Sequence, residues 1–232
     1  MTALLKFHDV RCEGSDRTHS FTLHAGETRL LQFSSTVEKD IMIDMAIGET
    51  DVPEGQIEIV QGDRRRKRTV GIGQQGERRH LDEPLPVIWQ PLSASMAGSV
   101  GWVAANGGLI SNLKIWENVT LPLWYHVRRE VIETEQSVMR WLDVLGLEQH
   151  ACAEFMAASP YSSELWQRKL AGLLRALVQM PKVLVVDAVV FEDVNEHFAQ
   201  SWVTALEAYA TQGHAVLVMA DKATTLPWEK IE

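Results

Sequence analysis

The stretch PYSSELWQRKLAGLLRALVQMPKVLVVDAVV, Pro160 to Val190, decides how the rest of the chain is read. Its first residues are polar and loop-like. From Arg168 to Val178 apolar residues recur at helical spacing, and Met180-Pro181 then breaks the helix. Val183 to Val186 is a short apolar run closed by Asp187. Such a run without polar alternation reads as a strand buried on both faces of a parallel sheet, with a carboxylate at its end.

Working outward, 232 residues are enough for one good core, so a single domain is expected over 1–232. A hydrophobic content of 46% and a mean hydropathy of −0.09 are those of a soluble globular protein. The net charge of −9 argues against nucleic acid as the main partner. Cys12 and Cys152 form no pairing or zinc pattern, and no histidine constellation suggests a metal, so a reducing compartment without a metal site is expected. The N-terminal MTALLKFHDV has no charged lead and no long apolar stretch, which reads as no signal peptide. No apolar run approaches the ~20 residues of a membrane span.

Short strands are expected from residue 3 to 33, with a turn at His24-Ala25-Gly26-Glu27. Residues 61 to 99 are irregular, with Arg64-Arg65-Arg66-Lys67-Arg68 read either as a solvated hairpin face or as a contact for anionic headgroups or phosphate. Helical spacing returns in Val131, Val138, Trp141, Leu142 and Leu145, stopped at Gly146. It returns again from Val194 to Tyr209, before a strand over His214 to Met219.

The order and spacing of these landmarks resemble the ATP-binding subunit of ABC transporters. Phe21-Thr22-Leu23 with Gly26-Glu27 matches the approach to that family's phosphate loop, although no aromatic stands at Arg11 to Gly14 to stack adenine. Counting back from Gly48 puts Lys39 at the phosphate-loop lysine; the three glycines become Phe33, Thr36 and Glu38, and the magnesium-binding serine becomes Asp40. Glycines there let backbone N–H groups wrap phosphates, so side chains at all three positions are expected to close the cradle. A carboxylate facing a phosphate at ~4 Å costs on the order of 4 kcal/mol at an effective dielectric of ~20. Lys39 is therefore expected to pair with Glu38 and Asp40. An ordinary strand–turn–helix junction is the plainer reading of the same residues.

The resemblance continues through VGWVAANGGLISNLKIWENVTLPLWYH from Val100, where the family's water-positioning glutamine falls at Ala105. Downstream, Leu109, Leu113, Trp116-Glu117-Asn118-Val119 and Leu121-Pro122-Leu123 follow the family's pattern, which implies a groove that receives a permease. Trp102, Asn106, Leu109, Ile110, Leu113 and Trp116 are the expected docking residues; as core of a helical subdomain, about 106–162, many of them would be explained equally. With the register set at Arg175, twelve residues before Asp187, the signature loop becomes Ser163-Glu164-Leu165-Trp166-Gln167. Gln167 to Leu177 is similar to the variant found in Mla/MCE-type lipid-transport ATPases. Asp187 is kept, but the catalytic glutamate becomes Ala188, the following proline Val189, the next loop's aspartate Val194, and the switch histidine Ala220 before Asp221.

The resemblance thus implies an α/β, P-loop NTPase-like ABC ATPase fold: a mixed core sheet, an antiparallel β subdomain and an α-helical subdomain, shortened at its C-terminal end. The substituted positions Lys39, Asp40, Ala105, Glu164, Asp187, Ala188 and Ala220 are read together as a pseudo-ATPase, not an enzyme, with ATP and Mg binding absent or very weak. Expected partners are a permease-like integral membrane protein and a second ABC ATPase-like subunit, in a homo- or heterodimer. The expected place is peripheral on the cytoplasmic side of the inner membrane, serving as a scaffold or regulator of a transport complex, with lipid as cargo. A residual NTPase using Lys39, Asp187 and Glu192 or Asp193, and an interaction module without a permease, are the alternatives.

Overall fold

The computed structural model describes residues 2–60, 88–92, 99–126, 131–221 and 224–231; the basic run 64–68 lies outside them. Its strands separate into two sheets. β1 (Ala3–Arg11), β2 (His19–His24), β4 (Glu54–Val60) and β5 (Trp89–Pro91) form an antiparallel sheet in the order β2-β1-β4-β5. β3 (Thr28–Gln32), β6 (Val100–Val103), β7 (Val183–Asp187), β8 (Ala215–Ala220) and β9 (Glu229–Lys230) form a parallel sheet in the order β6-β7-β8-β3-β9.

β7 is buried at every residue, as its unbroken apolar run implies. Alternation sends Val183 and Val185 into one core with Met42, Ile43 and the antiparallel sheet, and Leu184 and Val186 into a second core among the helices. The first core is covered by α1 (Thr36–Ile47), the second by α5 (Leu165–Gln179) and α6 (Glu196–Thr211). Trp202, Leu206 and Tyr209 of α6 are fully enclosed, which is why the Val194–Tyr209 periodicity was legible.

α2 (Ile115–His126), α3 (Val131–Val144) and α4 (Gln149–Ala157) precede α5 and share its core through Ile115, Val119, Trp141, Leu142 and Phe155. The stretch 104–114, counted with them in the subdomain 106–162, carries no helix and runs as turns and loop. α5 stops at Met180, which takes the left-handed conformation (φ 55°) just before Pro181, a residue that cannot continue a helix. Tyr209 Oη and His214 Nδ1 both donate to the Pro181 carbonyl, the latter at 2.7 Å, so the break is held by the end of α6 and the start of β8. Among the described residues no helix is long and apolar enough to cross a membrane.

Because the strands are parallel, the ends of β3, β6, β7 and β8 emerge on one side. That edge gathers the start of α1, Ala105, Asp187 and Ala220, and it is where ligands of open α/β sheets bind.

Candidate functional site

α1 begins one turn earlier than a phosphate-wrapping loop would allow. Ser35 is its N-cap and accepts from Val37 N at 3.2 Å, so Thr36, Val37 and Glu38 are already helical. No residue from Phe33 to Asp40 has a positive φ. The positions counted as second and third cradle glycines are therefore a helix turn.

Lys39 is buried at 2% exposure and gives Nζ to both oxygens of Asp187, at 2.9 and 3.0 Å. Asp40 Oδ1 stands at 3.4 Å but its side chain is 60% exposed. Of the two acids expected to hold Lys39, Asp40 is thus an ion-pair partner, and the expectation is corrected for Glu38. Asp187 is the principal partner, and Glu38 turns away to accept from Ser15 Oγ at 2.6 Å and Ser34 Oγ at 3.4 Å. The reason is the helical first turn. Residues adjacent on a helix point about 100° apart, so Lys39 faces the sheet while Glu38 faces the β1–β2 turn. Burial alone disfavours the Lys39 ammonium, but the hydrogen bond and charge of Asp187, with Asp40 and Asp221, outweigh it and raise its pKa. Asp187 Oδ1 also accepts Val189 N at 3.0 Å, starting the tight turn Ala188–Phe191. Thr36 Oγ1 donates to Asp221 at 2.5 Å, joining the start of α1 to the end of β8.

The alanines at the neighbouring positions supply methyl groups only. Ala105 is half-buried in the turn after β6, Ala188 is half-buried after Asp187, and Ala220 closes β8 at 3% exposure with its carbonyl accepting Phe33 N at 2.7 Å. The residues counted as a signature loop form the start of α5. Gln167 Oε1 accepts Glu164 N at 2.9 Å, Trp166 Nε1 donates to Glu164 at 2.7 Å, and the Trp166 ring stacks on Phe198 of α6 at 4.8 Å. Ser163 is buried and donates to the Ser159 carbonyl at 2.8 Å.

The expected docking residues divide. Asn106 and Ile110 are exposed; Leu109, Leu113 and Trp116 are half-buried, Leu109 and Trp116 against the helical core. Trp102, 37% exposed, stands beside Val185 in the edge strand, on the α1 face of the sheet, so it does not join them.

The bracing role of the groups behind this loop was not read from the sequence, although Asn118 and Arg175 were quoted there as landmarks. Asn118 is 2% exposed and accepts Ile110 N at 2.7 Å, while its Nδ2 lies at 3.0–3.1 Å from the Ile110, Leu113 and Lys114 carbonyls. Gly107 and Gly172 meet backbone to backbone: a Cβ on Gly107 would stand 2.0 Å from the Arg168 carbonyl oxygen, and one on Gly172 2.4 Å from that of Gly107. Arg175 donates to the Gly108 and Gly107 carbonyls at 2.8 and 3.2 Å. Lys169, also buried, spans from α5 to the Val189 and Glu192 carbonyls at 3.0 and 2.6 Å, and burial lowers its pKa. The doublet Gly107-Gly108 was the available signal.

No family model and no curated protein matches the sequence. Solved structures do. The ATP-binding subunit of an ABC transporter is similar at TM-score 0.68 and 14% identity, over 94% of this chain and 79% of its own. An ATP-binding cassette in a dimeric post-hydrolysis state with ADP and Pi gives TM-score 0.68 at 16% identity, over 94% and 88%. The cbiO1 protein of Clostridium perfringens, part of the ABC transporter complex cbiONQ, gives 0.65 at 15%, over 98% and 81%.

These likenesses overturn the expectation that the chain is not an enzyme. The architecture it shares is one seen after hydrolysis, with ADP and Pi in place. Counting substituted motif positions compared residue types only, whereas in the structure Lys39 and Asp187 stand in contact at the edge where the parallel strands end. An architecture kept over 94% of the chain at 14–16% identity is carried by packing, and this chain is built on the fold of ABC transporter ATP-binding subunits.

Proposed function

We propose that the chain is a subunit of a membrane transport complex that docks on a permease-like integral membrane protein at the cytoplasmic face, with the helical part at about 106–162 as its docking arm. One observation carries this reading. The loop from Asn106 to Lys114 is braced from behind by Asn118, Arg175 and the Gly107–Gly172 contact, while Asn106 and Ile110 stay exposed on its front. A preformed loop loses little entropy on binding, which favours a docking role over one of core packing alone. A second ABC ATPase-like subunit, identical or not, completes the assembly. Lipid as cargo rests on the resemblance of Gln167 to Leu177 alone, because Arg168, Lys169 and Arg175 all bond backbone carbonyls of this chain.

ATP–Mg binding is weak in this conformation, since Lys39 is committed to Asp187 and a carboxylate, Glu38, occupies the first turn of α1. Purification from detergent-solubilised membranes tests the docking: an integral membrane protein accompanies the chain and is lost on Ile110→Glu. Its consistent absence refutes the reading. Calorimetry with ATP–Mg tests the second claim, which micromolar affinity would overturn.

A nucleotide hydrolase with relocated chemistry is the second reading, favoured by the direct contact of Lys39 and Asp187 at the strand ends, with Glu192 and Asp193 five and six residues on. Phosphate release that is stimulated by the membrane partner and abolished by Asp187→Asn selects it.

A further inference from the structure

A cavity of about 750 Å³ lies beyond the end of β3, apart from Lys39 and Asp187, lined by Arg17, Thr18, His19, Leu31, Gln32, Phe33, Ser34, Lys230 and Ile231. Its volume is within the usual range for small-molecule sites. Its chemistry departs from that of the chain, whose net charge is −9: three of its lining residues are basic and none is acidic. Among the described residues the Arg17 guanidinium has no carboxylate partner, and Lys230 Nζ donates only to Gln32 Oε1 at 2.8 Å. The adjacent acid, Glu229, is taken by Arg29 at 2.9 Å. Glu38, the carboxylate felt by His19, is held by Ser15 and Ser34. Among the described residues His19 Nε2 is enclosed without a hydrogen-bond partner, and the His19 ring sits 5.5 Å from that of Phe33, so an aromatic wall adjoins the cations.

We infer that this cavity binds a phosphate ester, its phosphate held between Arg17 and Lys230 with the Thr18 and Ser34 hydroxyls as further donors, and its organic part against Phe33 and Leu31. A guanidinium and an ammonium left without carboxylates, around a wall of hydroxyl and amide groups, are the complement of such a dianion. Soluble esters and lipid headgroups share that chemistry. The inference does not rest on the docking reading, since none of these residues belongs to the loop from Asn106 to Lys114 or to the helical part at about 106–162.

The test titrates the full chain by calorimetry with glycerol 3-phosphate and with adenosine monophosphate. Flotation is run in parallel with vesicles of phosphatidic acid in phosphatidylcholine, and of phosphatidylcholine alone. Binding of either soluble ester assigns a soluble ligand; flotation with phosphatidic acid vesicles only assigns a headgroup. In each case Arg17→Gln and Lys230→Gln each weaken binding roughly tenfold and the double variant more. Both side chains are exposed, so circular dichroism of the variants is expected to stay that of the parent. Binding by none of the probes at millimolar concentration, or binding unchanged in the double variant, overturns the inference.

Discussion

Lys39→Met removes one charge of the Lys39–Asp187 pair and little of its volume. Asp187 then keeps a single donor, Val189 N–H at 3.0 Å, in a position where its side chain is 8% exposed. Breaking a buried ion pair from one side leaves an uncompensated charge and costs about 3–5 kcal/mol. The reverse change, Asp187→Asn, is milder. Lys39 keeps Asp40 at 3.4 Å, and asparagine still offers an oxygen, so about 2 kcal/mol is expected. In a domain of this size the lower end of the Lys39→Met range corresponds to a fall in Tm of about 6–12 °C. The Lys39→Met/Asp187→Asn pair is less unstable than the sum of the singles by about 2 kcal/mol, the sign of direct coupling. Thermal and urea unfolding followed by circular dichroism at pH 7 measure all three. A fall under about 2 °C for Lys39→Met, or strictly additive singles, refutes the assignment of this pair as the bond joining α1 to the sheet.

Asn118→Leu removes the side chain that meets Ile110, Leu113 and Lys114, leaving buried peptide groups unpaired; a cost of about 2–4 kcal/mol and faster hydrogen exchange at Ile110 are expected. Gly107→Ala forces a Cβ to 2.0 Å from the Arg168 carbonyl at a φ of +88°, so the loop must leave α5; unfolding at lower urea, by at least about 3 kcal/mol, checks this. His214 gives a pH signature. Burial lowers its pKa, partly opposed by its bond to Pro181, so the folded chain prefers the neutral ring. Its contribution is complete above the ordinary histidine value near 6.5 and is lost as pH falls from there toward the folded pKa. The urea midpoint therefore drops as pH falls below about 6.5, and drops less in His214→Gln, where among the histidines with described side chains His19 retains the same sense of shift.

Much of the architecture was legible because it follows from local pattern. The Val183–Asp187 run lacks polar alternation and is buried on both sheet faces. The Met180-Pro181 break is a backbone property, and the α6 periodicity marks one buried stripe. The candidate site was read less well. Glu38 and Asp40 were chosen as partners of Lys39 as its neighbours in sequence; Asp40 does reach it at 3.4 Å, but Glu38 diverges around the helix and the bidentate partner, Asp187, is remote in sequence. The docking set was drawn from one continuous stretch, yet strand alternation turns Trp102 to the opposite face from Leu109 and Trp116. The conclusion that the chain is no enzyme came from residue types at counted positions, and the shared architecture of an ATP-binding cassette holding ADP and Pi corrected it.

The stretch Pro160 to Val190 by itself determined a helix, a break and a buried strand delivering Asp187, because hydrophobic spacing and proline act within a few residues. The tertiary structure decided what Asp187 does there. Its partner Lys39 lies 148 residues away in sequence, and only the packing of α1 across β7 brings the two to 2.9 Å. The same holds for Gly107 against Gly172, where the approach of two backbones, not any motif, requires both residues to lack a side chain.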